Sequence, residues 1–274
     1  MTPVFANSAW VTGPERFLMQ SGRWRMRRLC VRYGVFVHPA AGPVLIDTGY
    51  AASGLNRPDR SFWLGAYART LAPEINTSEQ PGAALATLGL ELRDIGTVIV
   101  THFHADHVSG LAEIPNARFV ASGTAWKRLQ RIGVIKAIRH GVFPELLPAD
   151  FAERLDPIEA QPVTTHAGGI GGHDLFGDGR VLAVPLPGHA DGHFGLLFAK
   201  TDPPLLYGAD AQWLLEALVR GSRPRILPRL LSTDYGAVAS SSDLVAAFRD
   251  TGGDVVLCHD DAPTQYDLSA GARL

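Results

Sequence analysis

The segment Thr101-His102-Phe103-His104-Ala105-Asp106-His107 constrains this chain more than any other feature, because it directly follows the run Thr97-Val98-Ile99-Val100. A β-branched apolar run of that kind reads as a buried strand, so His102, His104, Asp106 and His107 crowd at the end of a rigid element. In extended backbone the side chains at i and i+2 point the same way, so His102 and His104 can reach one metal ion together. If the chain then turns into a helix, Asp106 and His107 are carried beside that ion, where a carboxylate and an imidazole suit a second one. The HxHxDH spacing therefore predicts a two-metal site.

Three later positions can complete it. His189 follows the strand-like Val181 to Pro185, Asp210 follows Leu205-Leu206-Tyr207, and His259 follows Val255-Val256-Leu257. Each taken singly reads as a loop residue. Ligands at the ends of neighbouring strands, however, converge at one rim of a sheet and are held there by rigid elements. The only cysteines, Cys30 and Cys258, lie far apart, which is neither a disulfide framework nor a CxxC metal motif. Cys258 reads as a small buried hydrophobe, and the paucity of thiols fits a cytoplasmic protein. With 25 Lys and Arg against 27 Asp and Glu, no net field gathers nucleic acid or an anionic membrane. No segment reaches the roughly 18 uninterrupted apolar residues that cross a bilayer, and Met1 to Arg16 lacks the pattern of a signal peptide.

Phe17 to Asp47 reads as an antiparallel start, with Arg23, Arg25 and Arg27 alternating with Trp24 and Met26 and a bulge expected at Arg27-Arg28. Ala51 to Ala72 shows no clean period and reads as an excursion outside the core. Helices are expected at Glu79 to Leu88 and Thr124 to Gly133, and strands at Thr97 to Val100, Arg118 to Ala121, near Val163, and at Val181 to Pro185. Helices and strands alternate without repeat or linker, so the class is α/β or α+β and one domain is expected over residues 1–274.

The set Thr101 to His107, Gly188-His189, Asp210 and His259, with Leu45-Ile46-Asp47-Thr48-Gly49 upstream, resembles the metallo-β-lactamase-fold hydrolase superfamily, closest to its N-acyl-homoserine lactonase-like group. The resemblance implies an α+β fold, an αβ/βα sandwich of two mixed β-sheets face to face with flanking helices. It also implies that His102, His104 and His189 hold one metal, that Asp106, His107 and His259 hold the second, and that Asp210 bridges them. Asp47 would orient a ligand histidine. Two Zn2+ per chain are expected, with Fe, Mn or Co as alternatives. The implied reaction is opening of a lactone or cleavage of an ester by hydroxide held between the ions, with Asp106 and Asp210 as catalytic carboxylates. The implied partners are a small-molecule lactone or ester and a second copy in a homodimer.

Other activities of the superfamily fit less well. Only 15 residues follow His259, too few for the helical extension of glyoxalase II-like thioesterases, and Asp210 departs from the exported zinc β-lactamases. A phosphodiesterase or nuclease would ask for a basic surface. In the lactonase pattern a tyrosine stands three residues after the bridging aspartate; here that position is Trp213, whose indole N–H donates but offers no acidity. Phosphotriester or aryl ester hydrolysis is therefore the alternative, because a good leaving group needs less protonation. Phe143, Leu146, Leu147 and Phe151 are candidates to line an acyl pocket, with the core as their other reading. His193 reads as a neighbour of the ligands. His166 and His173 flank a glycine-rich stretch expected to form a mobile hairpin, and His38 and His140 are expected at the surface.

Overall fold

In the computed structural model, which describes residues 1–166 and 169–269, two β-sheets lie face to face. The first contains β1 (Val4–Pro14), β2 (Met26–His38), β3 (Gly42–Ile46), β4 (Glu74–Ile75), β5 (Thr97–Ile99), β6 (Arg118–Ala121) and β7 (Leu155–Pro157), in the order β4-β1-β2-β3-β5-β6-β7. β1, β2 and β3 pair antiparallel, whereas β3, β5, β6 and β7 run parallel. The second sheet contains β8 (Val163–Thr165), β9 (Gly171–Asp174), β10 (Val181–Pro185), β11 (Phe194–Phe198), β12 (Leu205–Tyr207) and β13 (Asp254–Val256), in the order β13-β12-β11-β10-β9-β8. It is antiparallel except for the β12–β13 pair. The flanking helices are α1 (Glu15–Leu18), α2 (Ala52–Leu55), α3 (Phe62–Leu71), α4 (Pro81–Thr87), α5 (Ala105–Val108), α6 (Gly123–Leu129), α7 (Val134–Arg139), α8 (Leu215–Val219), α9 (Ile226–Leu231) and α10 (Tyr235–Asp250). This is the mixed-sheet α+β sandwich expected from the sequence.

The second sheet shows why its strands read as continuous apolar runs. Val181 and Ala183, Leu196 and Phe198, and Leu205 and Tyr207 join the core between the sheets. Their alternates Leu182, Val184, Leu197 and Leu206 pack in a separate cluster with Val245 and Phe248 of α10. A period of two with both faces covered leaves no polar position along the strand. Rings from opposite sheets close the central layer: Phe36 meets Phe198 edge-on at 5.2 Å, and Phe5 meets Tyr207 at 4.9 Å. α10 begins at Asp234, whose carboxylate accepts from the N–H groups of Gly236 and Ala237 at 2.9 and 3.1 Å, a cap worth about 1 kcal/mol. Among the described residues no helix is long and apolar enough to cross a membrane.

Several segments differ from their sequence reading. β1 is not anticipated, because its register with β2 shifts between Asn7 and Trp10 and blurs the alternation. The strand expected from Phe17 begins only at Met26; α1 and a turn come first, and Trp24 is exposed. No bulge occurs at Arg27-Arg28. These residues pair in register with Gly13 and Thr12, and each has its own partners: Arg27 reaches Asp261 and Glu216, while Arg28 lies over the Trp10 ring and meets Glu74. The excursion Ala51 to Ala72 contains α2 and α3. A helical stripe of Leu64, Tyr67, Ala68 and Leu71 exists there, but the exposed Phe62 and Trp63 put apolar residues off that face and mask it.

Phe143, Leu146 and Phe151 belong to the core, Phe151 stacked on Phe119 at 4.9 Å, and Leu147 packs against them from the margin. Neither His38 nor His140 is a surface residue. His38 closes the β2–β3 turn, its Nδ1 accepting from the N–H groups of Ala40 and Ala41, and His140 donates through Nδ1 to the Leu231 carbonyl at 2.9 Å. β8 and β9 form the arms of the hairpin expected around the glycine-rich stretch, of which Ala167 and Gly168 lie outside the described residues.

Candidate metal centre

The C-terminal ends of β3, β5, β10, β12 and β13 supply the site. Asp47 follows β3, the Thr101 to His107 segment follows β5, and His189, Asp210 and His259 follow β10, β12 and β13. Two antiparallel steps separate β10 from β12, so these two and the parallel β13 all run toward the same rim. α5 carries Asp106 and His107 one turn beyond His104, as the spacing predicts.

All seven predicted residues come together, and all are buried. His189 Nε2 lies 2.9 Å from His104 Nδ1 and 3.2 Å from Asp210 Oδ2. Asp210 Oδ2 is 3.1 Å from His259 Nε2, and its Oδ1 is 3.5 Å from His107 Nε2. Asp106 Oδ2 stands 3.4 Å from His259 Nε2 and 3.7 Å from His107 Nε2. Two donor groups result, each with its donor atoms within 4.8 Å of one another: His102, His104 and His189; and His107, Asp210, His259 and Cys258. Cys258 is buried, as its sequence reading expects, yet its Sγ is 4.0 Å from His107 Nε2 while donating to the Arg32 carbonyl.

These donors fit metal ions. His102 Nε2, His104 Nε2 and Asp210 Oδ1 are buried and have no hydrogen-bond partner; such orphans cost about 1–3 kcal/mol each, and a bound cation removes that penalty where donor atoms face it. Burial pushes His104 down to about 4, and burial with neighbouring imidazoles lowers His102 and His189, so all three are held in the neutral form that ligates. Burial opposes ionisation of Asp210 and Asp106, but His259, His189 and His107 outweigh it at Asp210, and His107 and His259 at Asp106, so both remain carboxylates. At His107 and His259 burial is likewise outweighed, by Asp47 and Asp210 respectively, and both are raised. The pocket thus favours positive charge where the second donor group converges.

Two of the rings, His107 and His259, are held from behind. Asp47 Oδ2 accepts from His107 Nδ1 at 2.8 Å, and Asp47 also accepts from the Thr101 N–H and hydroxyl, both at 2.8 Å. His259 Nδ1 donates to the Cys30 carbonyl at 2.8 Å. His193 donates through Nδ1 to Leu186 and accepts at Nε2 from the Asp210 N–H, so it orients the ligand segment from behind. Two residues of the rim adopt left-handed backbone, Asp47 (φ 56°) and Ala209 (φ 44°); strain of this kind persists where the surroundings over-determine it.

Gly188 has φ 121°, and a Cβ there would run into the backbone N of Val238 in α10. Its carbonyl accepts from the N–H groups of Thr233 and Asp234, which ties the His189 loop to the start of that helix. Gly188→Ala is expected to destabilise the fold by about 3 kcal/mol. The check is the urea midpoint at unchanged slope; an unshifted midpoint would refute the close packing.

A cavity of about 120 Å³ opens over the cluster, with Tyr50, Tyr67, Trp213, Leu227 and Leu231 among its other walls. Trp213 packs against His259 at 4.9 Å, and its buried Nε1 has no hydrogen-bond partner. The two tyrosines and His140 are cavity residues that the sequence reading missed. Tyr50 stands three residues after Asp47, a signal that could have placed it at the same rim; Tyr67 is visible only once the masked stripe of α3 is found. His166 and His173 do not join the cluster, and His173 bonds instead to the Gln161 carbonyl at 3.1 Å.

A family model described as Metallo-beta-lactamase superfamily matches residues 28–251. The chain is 26% identical over 266 residues to the N-acyl homoserine lactonase AttM of Azorhizobium caulinodans, covering 91% of this chain and 92% of that one. Among solved structures it resembles a B. thuringiensis AiiA variant with N-decanoyl-L-homoserine bound at the active site, with a TM-score of 0.70 at 17% identity over 95% of each chain. It also resembles a quorum-quenching N-acyl homoserine lactone lactonase, with a TM-score of 0.69 at 18% identity, covering 95% of this chain and 94% of that one. At these identities the structural likeness concerns the fold.

Proposed function

The chain belongs to the metallo-beta-lactamase superfamily, and on that premise we propose that it is a metal-dependent hydrolase that opens lactones or cleaves esters, with acyl-homoserine lactones as the leading substrates. The observation that carries the reading is the convergence of seven buried His and Asp side chains, with Asp210 of one donor group 3.2 Å from His189 of the other. The AttM relative, a lactonase by name and alike over nearly its whole length, supports it. His102, His104 and His189 would hold one ion, Asp106, His107 and His259 the other, and Asp210 both; we assign two zinc ions per chain, with Fe, Mn or Co as alternatives. Ions bound there supply Lewis acidity toward the carbonyl and lower the pKa of water.

The protein's own part is positioning and charge. Asp47 and the Cys30 carbonyl hold the Nδ1 protons of His107 and His259, which turns each Nε2 toward the cluster. Asp106 and Asp210 stay ionised beside them. Trp213, Leu227 and Leu231 give the cavity an apolar wall.

Trp213 favours a second reading, aryl ester or phosphotriester hydrolysis, because it puts no acidic group three residues after Asp210. A turnover panel of acyl-homoserine lactones, other lactones, aryl esters, phosphotriesters, a thioester and a β-lactam separates the two. Lactone cleavage at or above the aryl ester rate supports the lead reading, and activity confined to the thioester or the β-lactam contradicts both. Two buried free cysteines support a reducing, cytoplasmic setting. The homodimer implied by the family is supported by Phe62, Trp63, Val134 and Ile135, all exposed on the contacting helices α3 and α7. Trp63→Glu is expected to shift the sedimentation coefficient from dimer to monomer; a monomeric wild type would contradict it.

A further inference from the structure

Opening a lactone expels an alkoxide, which must take a proton as the C–O bond breaks. Five of the histidines around the centre are proposed ligands, His193 is bonded at both nitrogens, His140 commits its Nδ1–H to the Leu231 carbonyl, and Trp213 has no acidity. Two phenols remain among the cavity walls. Tyr50 and Tyr67 meet hydroxyl to hydroxyl at 2.7 Å, and both line the cavity that holds Asp106, Asp210 and His259.

Their placement is built from two sides. Tyr50 is fully buried on a loop pinned at both peptide ends: its N–H donates to Ser8 Oγ at 2.9 Å, and its carbonyl accepts from Gln80 Nε2 at 3.1 Å. Tyr67 comes from α3, half-buried, with its ring 4.9 Å from Phe143. It packs against Gly141, whose carbonyl accepts from the N–H of Ala105, the residue between His104 and Asp106. The Tyr67 phenol is thus set beside the start of the helix that carries two proposed ligands, and Tyr50 backs it.

We propose that Tyr67 is the proton donor to the leaving oxygen and that Tyr50 is its positioning residue, an inference that rests on the lactone and ester reading above. In this assignment the Tyr50 hydroxyl is the donor of the pair, which leaves the Tyr67 proton free to point at substrate. The oxygen of one water bonds to the acyl carbon; as the acyl C–O bond breaks, the electron pair stays on the departing oxygen, which takes the Tyr67 proton. The phenolate left behind is stabilised by the Tyr50 hydroxyl and regains the proton that the attacking water gave up, so the sum is lactone plus one water giving hydroxy acid. The phenol that the lactonase pattern carries three residues after the aspartate is here supplied from α3.

The test compares leaving groups. A γ-lactone expels an alkoxide that needs the proton, whereas a p-nitrophenyl ester expels an anion that leaves without one. Tyr67→Phe is expected to lower kcat on the lactone about 10²-fold with KM nearly unchanged, and kcat on the aryl ester by less than about threefold. Tyr50→Phe is expected to lower the lactone rate about tenfold with the same selectivity. Metal content and thermal midpoint of each variant are read alongside; should Tyr67→Phe fail to fold, the lactone-to-ester ratio of Tyr50→Phe carries the test. Equal losses on both substrates, or none, overturn the assignment alone. A wild type inert toward both substrates overturns the underlying reading and this assignment with it.

Discussion

Asp210→Asn is expected to lower lactone turnover by about 10³-fold and to reduce bound metal from the proposed two ions per chain to one or fewer. The rate figure corresponds to the several kcal/mol of charge stabilisation that a metal centre supplies. Asparagine keeps the shape of the side chain but replaces one carboxylate oxygen with an N–H donor. That donor would face either His107 Nε2, now 3.5 Å from Oδ1, or His189 and His259 Nε2, now 3.2 and 3.1 Å from Oδ2. It also removes the charge that chiefly holds His259 protonated in the ion-free protein. Metal analysis beside initial rates checks both outcomes, and near-ultraviolet circular dichroism establishes that the variant is folded. A variant that keeps two ions and loses less than about tenfold in rate would refute the proposed bridging role of Asp210.

Asp47→Asn is the second large effect, although Asp47 belongs to neither donor group. Its carboxylate accepts three hydrogen bonds, from the Thr101 N–H, the Thr101 hydroxyl and His107 Nδ1, each at 2.8 Å. Asparagine has one acceptor oxygen for these three donors, so at least one buried donor is left facing an N–H. Loss of such a partner behind a metal-bound imidazole typically costs 10–100-fold in metal affinity or activity, and about 1–3 kcal/mol in stability for the unsatisfied group. Asp47→Ala should be worse for the fold, because alanine accepts nothing and tolerates the φ of 56° less well than asparagine. Competitive metal titration and urea midpoints measure the two terms separately. Unchanged metal affinity in both variants would show that His107 needs no support from behind.

The residues that carry these effects differ in how far the sequence exposes them. The HxHxDH run is legible because a buried β-branched strand, an extended dipeptide step and one helical turn are all local geometry, so the spacing alone predicts which side chains converge. His189, Asp210 and His259 are legible for a related reason: each ends an apolar strand, and parallel direction in a sheet brings strand ends to one rim. The elements that went unread are those in which local pattern is overridden. β1 hides behind a register shift, and α3 behind the exposed Phe62 and Trp63. His38 and His140 are polar residues buried because a turn and a distant carbonyl give them partners, which no spacing rule announces. Tyr67 belongs to the same class, since its place depends on α3 docking beside Gly141.

The proposed two-ion hydrolytic centre rests on one set of buried His and Asp side chains. Chelator-treated protein is titrated with Zn2+ and lactone turnover is read at each addition. No turnover is expected without metal, and the rise should reach its plateau at two ions per chain. Full turnover in the chelated protein, or a plateau at a single ion, would refute a two-ion centre.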